Sequence, residues 1–438
     1  MIGCGFGGIE AVRGLSQAEV EITLVDRTNH HLFQPLLYQV ATAGLSAPAV
    51  SAPIRHALRR EMRQGNLTIL QAEVTGIDAA ARRVTLDDGT TLAWDHLIVA
   101  AGATHSYFGH DDWAAHAPGL KTLADAFTIR ARVIGAFERA ERCEDPARRE
   151  PWMTFVVIGA GPTGVEMAGT MIEIAHRTLP QEFRRIDSRR ARVVLLEGSD
   201  RVLGAFVPQL SQRAREQLER LGVDVRTGCK VTAIDAEGVS YEVQEAGQPR
   251  TVRLASRTVI WAAGIAASPL GRALARSTGA ALDRAGRVVV EPDLSLAGHP
   301  EIAVIGDLAA AKSHGKGEPT PVPGVSPGAK QMGRAAAANL LRRLRGQPTR
   351  PFRYVDYGNL ATVGRHAAVV DLAVPVLGAV RFSGLPAWLF WLFAHIYFLI
   401  GFRNRLFVMF DWAWAYWTYE RHARVVAEPP SAPQRPAS

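Results

Sequence analysis

Cysteine is scarce in this chain of 438 residues: Cys4, Cys143 and Cys229 are far apart, and no two are spaced as C-x-x-C or C-x4-C. That argues against a disulfide framework and a zinc site, and it removes the redox-active dithiol through which several electron-transferring enzyme classes work. No Ser-His-Asp or metal-binding constellation stands out. The adjacent His30 and His31 are read as loop structure, because neighbouring residues rarely both turn inward, and Cys4 is read as inert. No secretory signal precedes the first motif, so a cytoplasmic location is expected. Nucleic-acid-binding signatures are missing too. Lys and Arg nevertheless exceed Asp and Glu by eight, which points to an anionic lipid surface as the partner.

What the chain does have is glycine, 40 residues of it, in a composition that is 47% hydrophobic and 21% charged. Such a composition suits a globular protein with room for roughly two or three domains. Two glycine fingerprints stand out: Gly3-Cys4-Gly5-Phe6-Gly7-Gly8 and Gly159-Ala160-Gly161-Pro162-Thr163-Gly164. In each, the first glycine makes a tight turn, the second admits a pyrophosphate to the backbone, and the third lets helix and strand pack closely. A helix is predicted over 7–17, its N-terminal amides facing phosphate. A buried strand over 21–25 should follow, ending in Asp26 and Arg27, with Asp26 placed to accept hydrogen bonds from a ribose. Met1 and Ile2 are the only residues before this first loop, so several apolar residues are expected upstream of the recorded start.

The second fingerprint follows a complete apolar run, 154–158, the strand–turn–helix context that gives such a motif its specificity. Its helix is predicted to reach about His176, and a second strand over 191–196 to end at Glu197. Glu197 stands 33 residues past Gly164, so the helix or its connection must be extended. An acid at that place favours NADH and disfavours NADPH, whose 2'-phosphate it would repel. Each half also has a closing strand ending in Ala-Ala-Gly: 96–103, with Ala101 and Gly102, and 259–265, with Ala263 and Gly264. A further strand, 302–308, delivers Asp307 after Gly306. The chain should therefore hold two dinucleotides on two related halves.

Three more segments complete a resemblance: 29–38 (NHHLFQPLLY), 324–333 (GVSPGAKQMG) and 395–405 (HIYFLIGFRNR). With Gly161-Pro162-Thr163-Gly164-Val165-Glu166, they make the chain similar, over nearly its whole length, to the type II, non-proton-pumping NADH:quinone oxidoreductases. These belong to the flavoproteins with two dinucleotide-binding domains. The resemblance implies an α/β fold of two Rossmann-like domains, FAD on the first loop and NADH on the second, with the NADH domain inserted in the FAD domain. It places Pro35 and Leu36 near the isoalloxazine, Gly306 and Asp307 at the ribityl-phosphate region, and Glu166 between the nicotinamide pocket and the flavin. It sets Ala329, Lys330 and Gln331 at the flavin's pyrimidine end, beside the quinone. The family's A-Q-x-A-x-Q pattern aligns with Ser326-Pro327-Gly328-Ala329-Lys330-Gln331, so its first glutamine is a proline here.

Hydride transfer is the flavin's own chemistry, whereas making a quinol needs protons. Glu166 is the expected helper, Lys330 an electrostatic one and Gln331 a companion. The domains are expected at 1–120 and 266–380 (FAD), 121–265 (NADH), 381–427 (membrane anchor) and 428–438 (a disordered tail rich in Pro, Ala and Ser). Residues 385–402 carry no Asp, Glu, Lys or Arg, and five of the nine tryptophans lie between Trp388 and Trp417. We read two amphipathic helices lying in the membrane interface on the cytoplasmic face, with arginines meeting anionic lipid. A single transmembrane helix and a helix buried in a homodimer interface stay open as alternatives. The expected activity is transfer of hydride from NADH to FAD and then of two electrons to a membrane quinone. The rivals are a soluble NAD(P)H-dependent reductase with a protein or oxygen acceptor, and a non-catalytic NADH-sensing flavoprotein.

Overall fold

The computed structural model describes residues 1–426 except 246, 316, 375–377, 400, 419 and 422; the expected tail lies outside them. The chain divides into two compact units, one of Met1–Leu32, Ser51–Thr104 and Ile265–Tyr357, the other of Phe33–Val50, His105–Gly264 and the chain from Gly358.

In the first unit, strand Ile22–Asp26 pairs in parallel with Leu67–Gln71, and Leu97–Val99 pairs in parallel with His299–Val304. Ile2 bridges the gap, in parallel register with Val25 on one side and Val99 on the other. Its N–H donates to the Ile98 carbonyl at 2.9 Å, and its own carbonyl accepts from Ala100 at 2.8 Å. Short as it is, the leading segment therefore occupies the central position of the sheet. The first nucleotide helix, Phe6–Leu15, buries Ile9, Ala11, Val12 and Leu15. It lies very close to helix Ser326–Leu344: a Cβ on Gly14 would come within 2.7 Å of the Ala337 methyl, and one on Gly333 within 2.1 Å of the Gly7 carbonyl.

The second unit is built on a four-stranded parallel sheet in the order Val223–Arg226, Arg192–Leu196, Thr154–Ile158, Thr258–Trp261. Of its inner strands, Thr154–Ile158 is buried end to end and Arg192–Leu196 is buried from Val193 on, as expected when helices cover both faces of a parallel sheet. The second nucleotide helix, Pro162–Glu173, runs on into a π-helical turn, Ile174–Thr178, and a 3-10 turn at Ser188–Arg190 precedes the next strand. This accounts for the long spacing to Glu197. Strands Asn359–Gly364, Ala367–Val374 and Gly378–Ser383 form an antiparallel sheet that packs on that helix through the first of them. Gly169 permits the approach, since a Cβ there would fall 1.6 Å from the Val363 carbonyl oxygen.

Several boundaries differ from the sequence reading. The closing strands stop at Val99 and Trp261, because the chain turns at Gly102 (φ 66°) and Gly264 (φ 71°). The 302–308 segment is a strand to Val304 followed by a 3-10 turn, Gly306–Leu308, at a left-handed Gly306. Residues 33–50 and 358–380, and with them 105–120, fall in the second unit. Buried Leu36, Leu37, Tyr38 and Val40 carry the first of these segments there, and the packing on Gly169 carries the second.

The C-terminal region forms two helices, Leu385–Phe398 and Phe402–Thr418, split at Gly401 (φ 86°). Among the described residues no helix is long and apolar enough to cross a membrane. In the first of the pair, Ala387, Trp391 and His395 are buried, while Leu385, Leu389, Phe393 and Tyr397 form an exposed apolar stripe at i, i+4 spacing. The second carries a like stripe, Phe407, Phe410, Trp414 and Trp417, the last 77% exposed.

Candidate functional site

The first fingerprint folds because two of its positions exclude a side chain. A Cβ on Gly3 (φ 90°) would meet the Ala100 carbonyl oxygen at 2.4 Å, and one on Gly8 the Gly3 carbonyl oxygen at 2.0 Å. Gly5 is different: nothing lies within 4 Å of its Cβ position. It precedes the first helical residue, so open space lies where the helix amides are unpaired, the requirement for cradling a pyrophosphate. Asp26 is locked to this loop, Oδ2 accepting the Cys4 N–H at 2.7 Å and Oδ1 accepting the N–H and hydroxyl of Thr28, each at 2.8 Å. Arg27 is exposed.

Gly7, Gly306 and Ala329 converge in the same unit. A Cβ on Gly7 would lie 3.1 Å from the Ala329 carbonyl, and one on Gly306 would lie 3.6 Å from the Ala329 methyl. Asp307 is half-buried beside Gly324, and Ala101 and Gly102 follow the strand that flanks Gly3. Cys4 is buried, and burial together with the Asp26 charge pushes its thiol up to about 12, so it is unreactive. His31, read as loop structure, is also buried, and its Nε2 has no partner among the described residues. The cradle and this orphaned buried atom fit a dinucleotide such as FAD.

Lys330 places Nζ 5.2 Å from the Phe6 ring centre, and burial lowers its pKa against the opposing charge of Glu10. Gln331 has another task than the one expected. Its Nε2 donates to the Val355 carbonyl at 2.9 Å and its Oε1 accepts the Val355 N–H at 2.8 Å. Both ends of its amide staple helix Ser326–Leu344 to the following segment. Pro327, where the family has glutamine, sits in the first turn of that helix, where a missing N–H costs nothing.

The second fingerprint repeats the first. A Cβ on Gly159 (φ 97°) would lie 2.7 Å from the Ala263 Cα, one on Gly164 would lie 1.8 Å from the Gly159 carbonyl oxygen, and Gly161 faces open space. Pro162 and Thr163 open the helix. Glu197 Oε2 accepts the Ala160 N–H at 2.6 Å, and Oε1 accepts the N–H and hydroxyl of Ser199, each at 2.9 Å. In both halves, then, the acid at the strand end accepts the amide of the residue between the first two glycines. Gly264 is capped by the exposed Phe108 ring.

Glu166 lies in the early part of the same helix and is 7% exposed. Burial raises its pKa well above the carboxylate range, more than the Thr362 backbone N–H and the neighbouring Trp391 indole bring it down. The indole N–H stands close to the carboxyl but closes no well-formed hydrogen bond with it or with any other described residue. The Tyr38 hydroxyl is likewise raised by burial and by Glu166, and it accepts from Gln39 Nε2 at 3.0 Å. His395 stacks on Trp391 at 4.1 Å with its Nδ1 2.8 Å from the Trp391 carbonyl oxygen, and burial lowers it to about 4. The result is a buried carboxyl pushed toward its protonated form, with Tyr38 and Trp391 beside it. Tyr38, Trp391 and His395 carried no assigned role in the sequence; Tyr38 and His395 lay inside motifs quoted for the resemblance, and Trp391 in the tryptophan-rich segment. Pro35 and Leu36 form a 3-10 turn, Gln34–Leu36, of this same unit, with Leu36 fully buried.

The family model for pyridine nucleotide-disulphide oxidoreductases matches residues 1–333, and that for the NDH2 C-terminal domain matches 357–418. The chain is 44% identical over 420 residues to the type II NADH:quinone oxidoreductase NdhA of Mycobacterium tuberculosis, covering 94% of this chain and 85% of that protein. With Ndh of the same organism, also a type II NADH:quinone oxidoreductase, identity is 45% over 418 residues, covering 94% and 86%. The solved structure of NDH2 from Plasmodium falciparum in complex with NADH has the same fold, with a TM-score of 0.83 at 20% identity over 98% of this chain and 99% of that one.

Proposed function

We infer how the residues divide the work from one premise: the chain belongs to the pyridine nucleotide-disulphide oxidoreductase family and, within it, to the type II NADH:quinone oxidoreductases. It is an FAD-dependent enzyme that oxidises NADH and reduces a membrane quinone. The alternatives, a reductase for a protein or oxygen acceptor and a non-catalytic sensor, are not favoured.

The observation that carries the assignment is the repeated loop geometry, with Asp26 on the Cys4 amide and Glu197 on the Ala160 amide. Each acid, held at its loop, keeps lone pairs for ribose hydroxyls. FAD belongs on the first loop, with Gly3, Gly5, Gly7, Gly8, Asp26, Ala101, Gly102, Gly306, Asp307 and Ala329 around it. NADH belongs on the second, with Gly159, Gly161, Pro162, Thr163, Gly164, Glu197, Ala263 and Gly264. The Glu197 charge repels a 2'-phosphate and so selects NADH over NADPH.

When bound, the flavin supplies the redox chemistry, taking hydride from NADH and returning two electrons to the quinone. The chain's own part is to bind, orient and manage protons. Glu166 stores a proton at its carboxyl for quinol formation, and Tyr38 and Trp391 beside it help keep that carboxyl out of water. Lys330 contributes positive charge beside the first loop, and Gln331 positions the helix that carries it. The exposed stripes of the C-terminal helices take a lipid surface on the cytoplasmic face of the membrane, rather than a second copy of this chain. Tryptophans on the apolar side and Arg403 and Arg405 nearby suit the headgroup level.

Steady-state kinetics with both nucleotides tests the specificity. Glu197→Gln is expected to bring the kcat/KM for NADPH closer to that for NADH, with FAD content unchanged. An unchanged preference would overturn the role given to Glu197.

A further inference from the structure

His31 lies on the short strand His30–Leu32, is 1% exposed, and belongs to the same unit as the first fingerprint. Its Nδ1 is 2.9 Å from the Cys4 carbonyl oxygen. A carbonyl can only accept, so Nδ1 carries the proton and Nε2 is left as a bare acceptor. The Phe6 ring stands edge-on at 5.1 Å, and Lys330 Nζ lies 5.2 Å from the centre of that ring. Burial, with the Lys330 and Arg13 charges added and the Cys4 bond opposing, pulls the ring to about 4. It is neutral at pH 7, and Nε2 keeps its lone pair.

That lone pair has no donor among the described residues. A buried acceptor without a partner is costly, and the fold bears that cost beside the loop that cradles a pyrophosphate. The pyrophosphate itself offers no donor at neutral pH. In FAD, the hydroxyls of the ribityl chain and of the adenosine ribose flank the pyrophosphate on its two sides, and these are donors. We propose that His31 Nε2 accepts a hydrogen bond from a sugar hydroxyl of bound FAD, which makes His31 a cofactor-positioning residue. One imidazole thus fixes the fingerprint loop through Nδ1 and the cofactor through Nε2. The proposal rests on the assignment of FAD to the first loop.

The test is FAD affinity, measured by titrating deflavinated protein and following flavin fluorescence. His31→Asn retains a side-chain N–H for the Cys4 carbonyl but lacks the Nε2 acceptor, and His31→Leu lacks both. Losing the bond is expected to weaken FAD binding about five- to thirty-fold in His31→Asn. FAD analogues lacking one ribityl hydroxyl, or lacking a ribose hydroxyl on the adenosine side, separate the two sources. Wild type should lose affinity for the one analogue that lacks the partner hydroxyl, and His31→Asn should not distinguish that analogue from FAD. In wild type with 15N-labelled histidine, one neutral imidazole should show its Nε2 resonance shift when FAD is added, a readout that depends on no variant folding. Wild-type affinity in His31→Asn, or equal losses by wild type and His31→Asn with every analogue, would overturn the proposal. Failure of the wild type to bind FAD at all would instead overturn the assignment of the first loop.

Discussion

Burial favours the protonated form of Glu166, because its ionised form would have to leave water for a place beside Tyr38 and Trp391. The same shift is a statement about stability. An acid raised in the folded state makes its full contribution below its unfolded value of about 4.5 and loses it progressively as pH rises from there toward the raised folded value, since the unfolded chain releases the proton more readily. Glu166→Gln is therefore expected to unfold at higher urea than wild type at pH 8 and with little difference at pH 4. It should also slow quinol formation by about a hundredfold, at the low end for general acid catalysis, while NADH-to-dye transfer persists. A wild type more stable than Glu166→Gln at pH 8 would contradict a protonated carboxyl. The buried histidines act in the opposite window. His31 and His395, both lowered to about 4 from 6.5, stay neutral when folded. Unfolding releases them to take protons, so stability should fall as pH drops from about 6.5 to about 4, by up to about 3 kcal/mol for each. Urea midpoints at several pH values should show a shallower slope in His395→Gln.

Each glycine loop contains two kinds of glycine, and they make separable predictions. Gly8 and Gly164 face carbonyl oxygens at 2.0 and 1.8 Å from an added Cβ, whereas Gly5 and Gly161 face open space. Gly8→Ala and Gly164→Ala should lower thermal stability, while Gly5→Ala and Gly161→Ala should fold normally and weaken only their own nucleotide. Loss of FAD in Gly5→Ala with NADH binding intact, and the converse in Gly161→Ala, would be read by flavin content and by NADH titration. The loops, their acids and the strand–helix order were legible because the nucleotide fold dictates residue types at fixed spacing. Strand ends were not, since the turns at Gly102 and Gly264 depend on the left-handed backbone there rather than on any change in hydrophobicity. Nor was the π-helical turn after Glu173, which has no glycine or proline to mark it.

Contacts between residues far apart in sequence were the least legible part. Nothing local announces that Trp391 stands beside Glu166, that residues 33–50 pack with the second unit, or that Gln331 spends its amide on Val355. The amphipathic end of the molecule was easier to read, because tryptophan density and the break at Gly401 are sequence properties. Its exposed stripes predict that Phe393→Glu together with Trp417→Glu will release the enzyme from anionic vesicles. Quinone turnover on those vesicles should fall at least about tenfold, since each apolar side chain buried contributes roughly 1.5–3 kcal/mol. Dye reduction by NADH should be unchanged, because both side chains point to solvent. Cosedimentation with vesicles equal to that of wild type would rule out the lipid surface as their partner.

Anaerobic stopped-flow spectroscopy of the purified holoenzyme tests the electron path as a whole. Stoichiometric NADH should bleach the visible absorbance of the flavin, which belongs to the oxidised isoalloxazine, and a following pulse of quinone should restore it within the time of one turnover. Flavin that NADH does not bleach, or reduced flavin that quinone leaves colourless, would contradict the account.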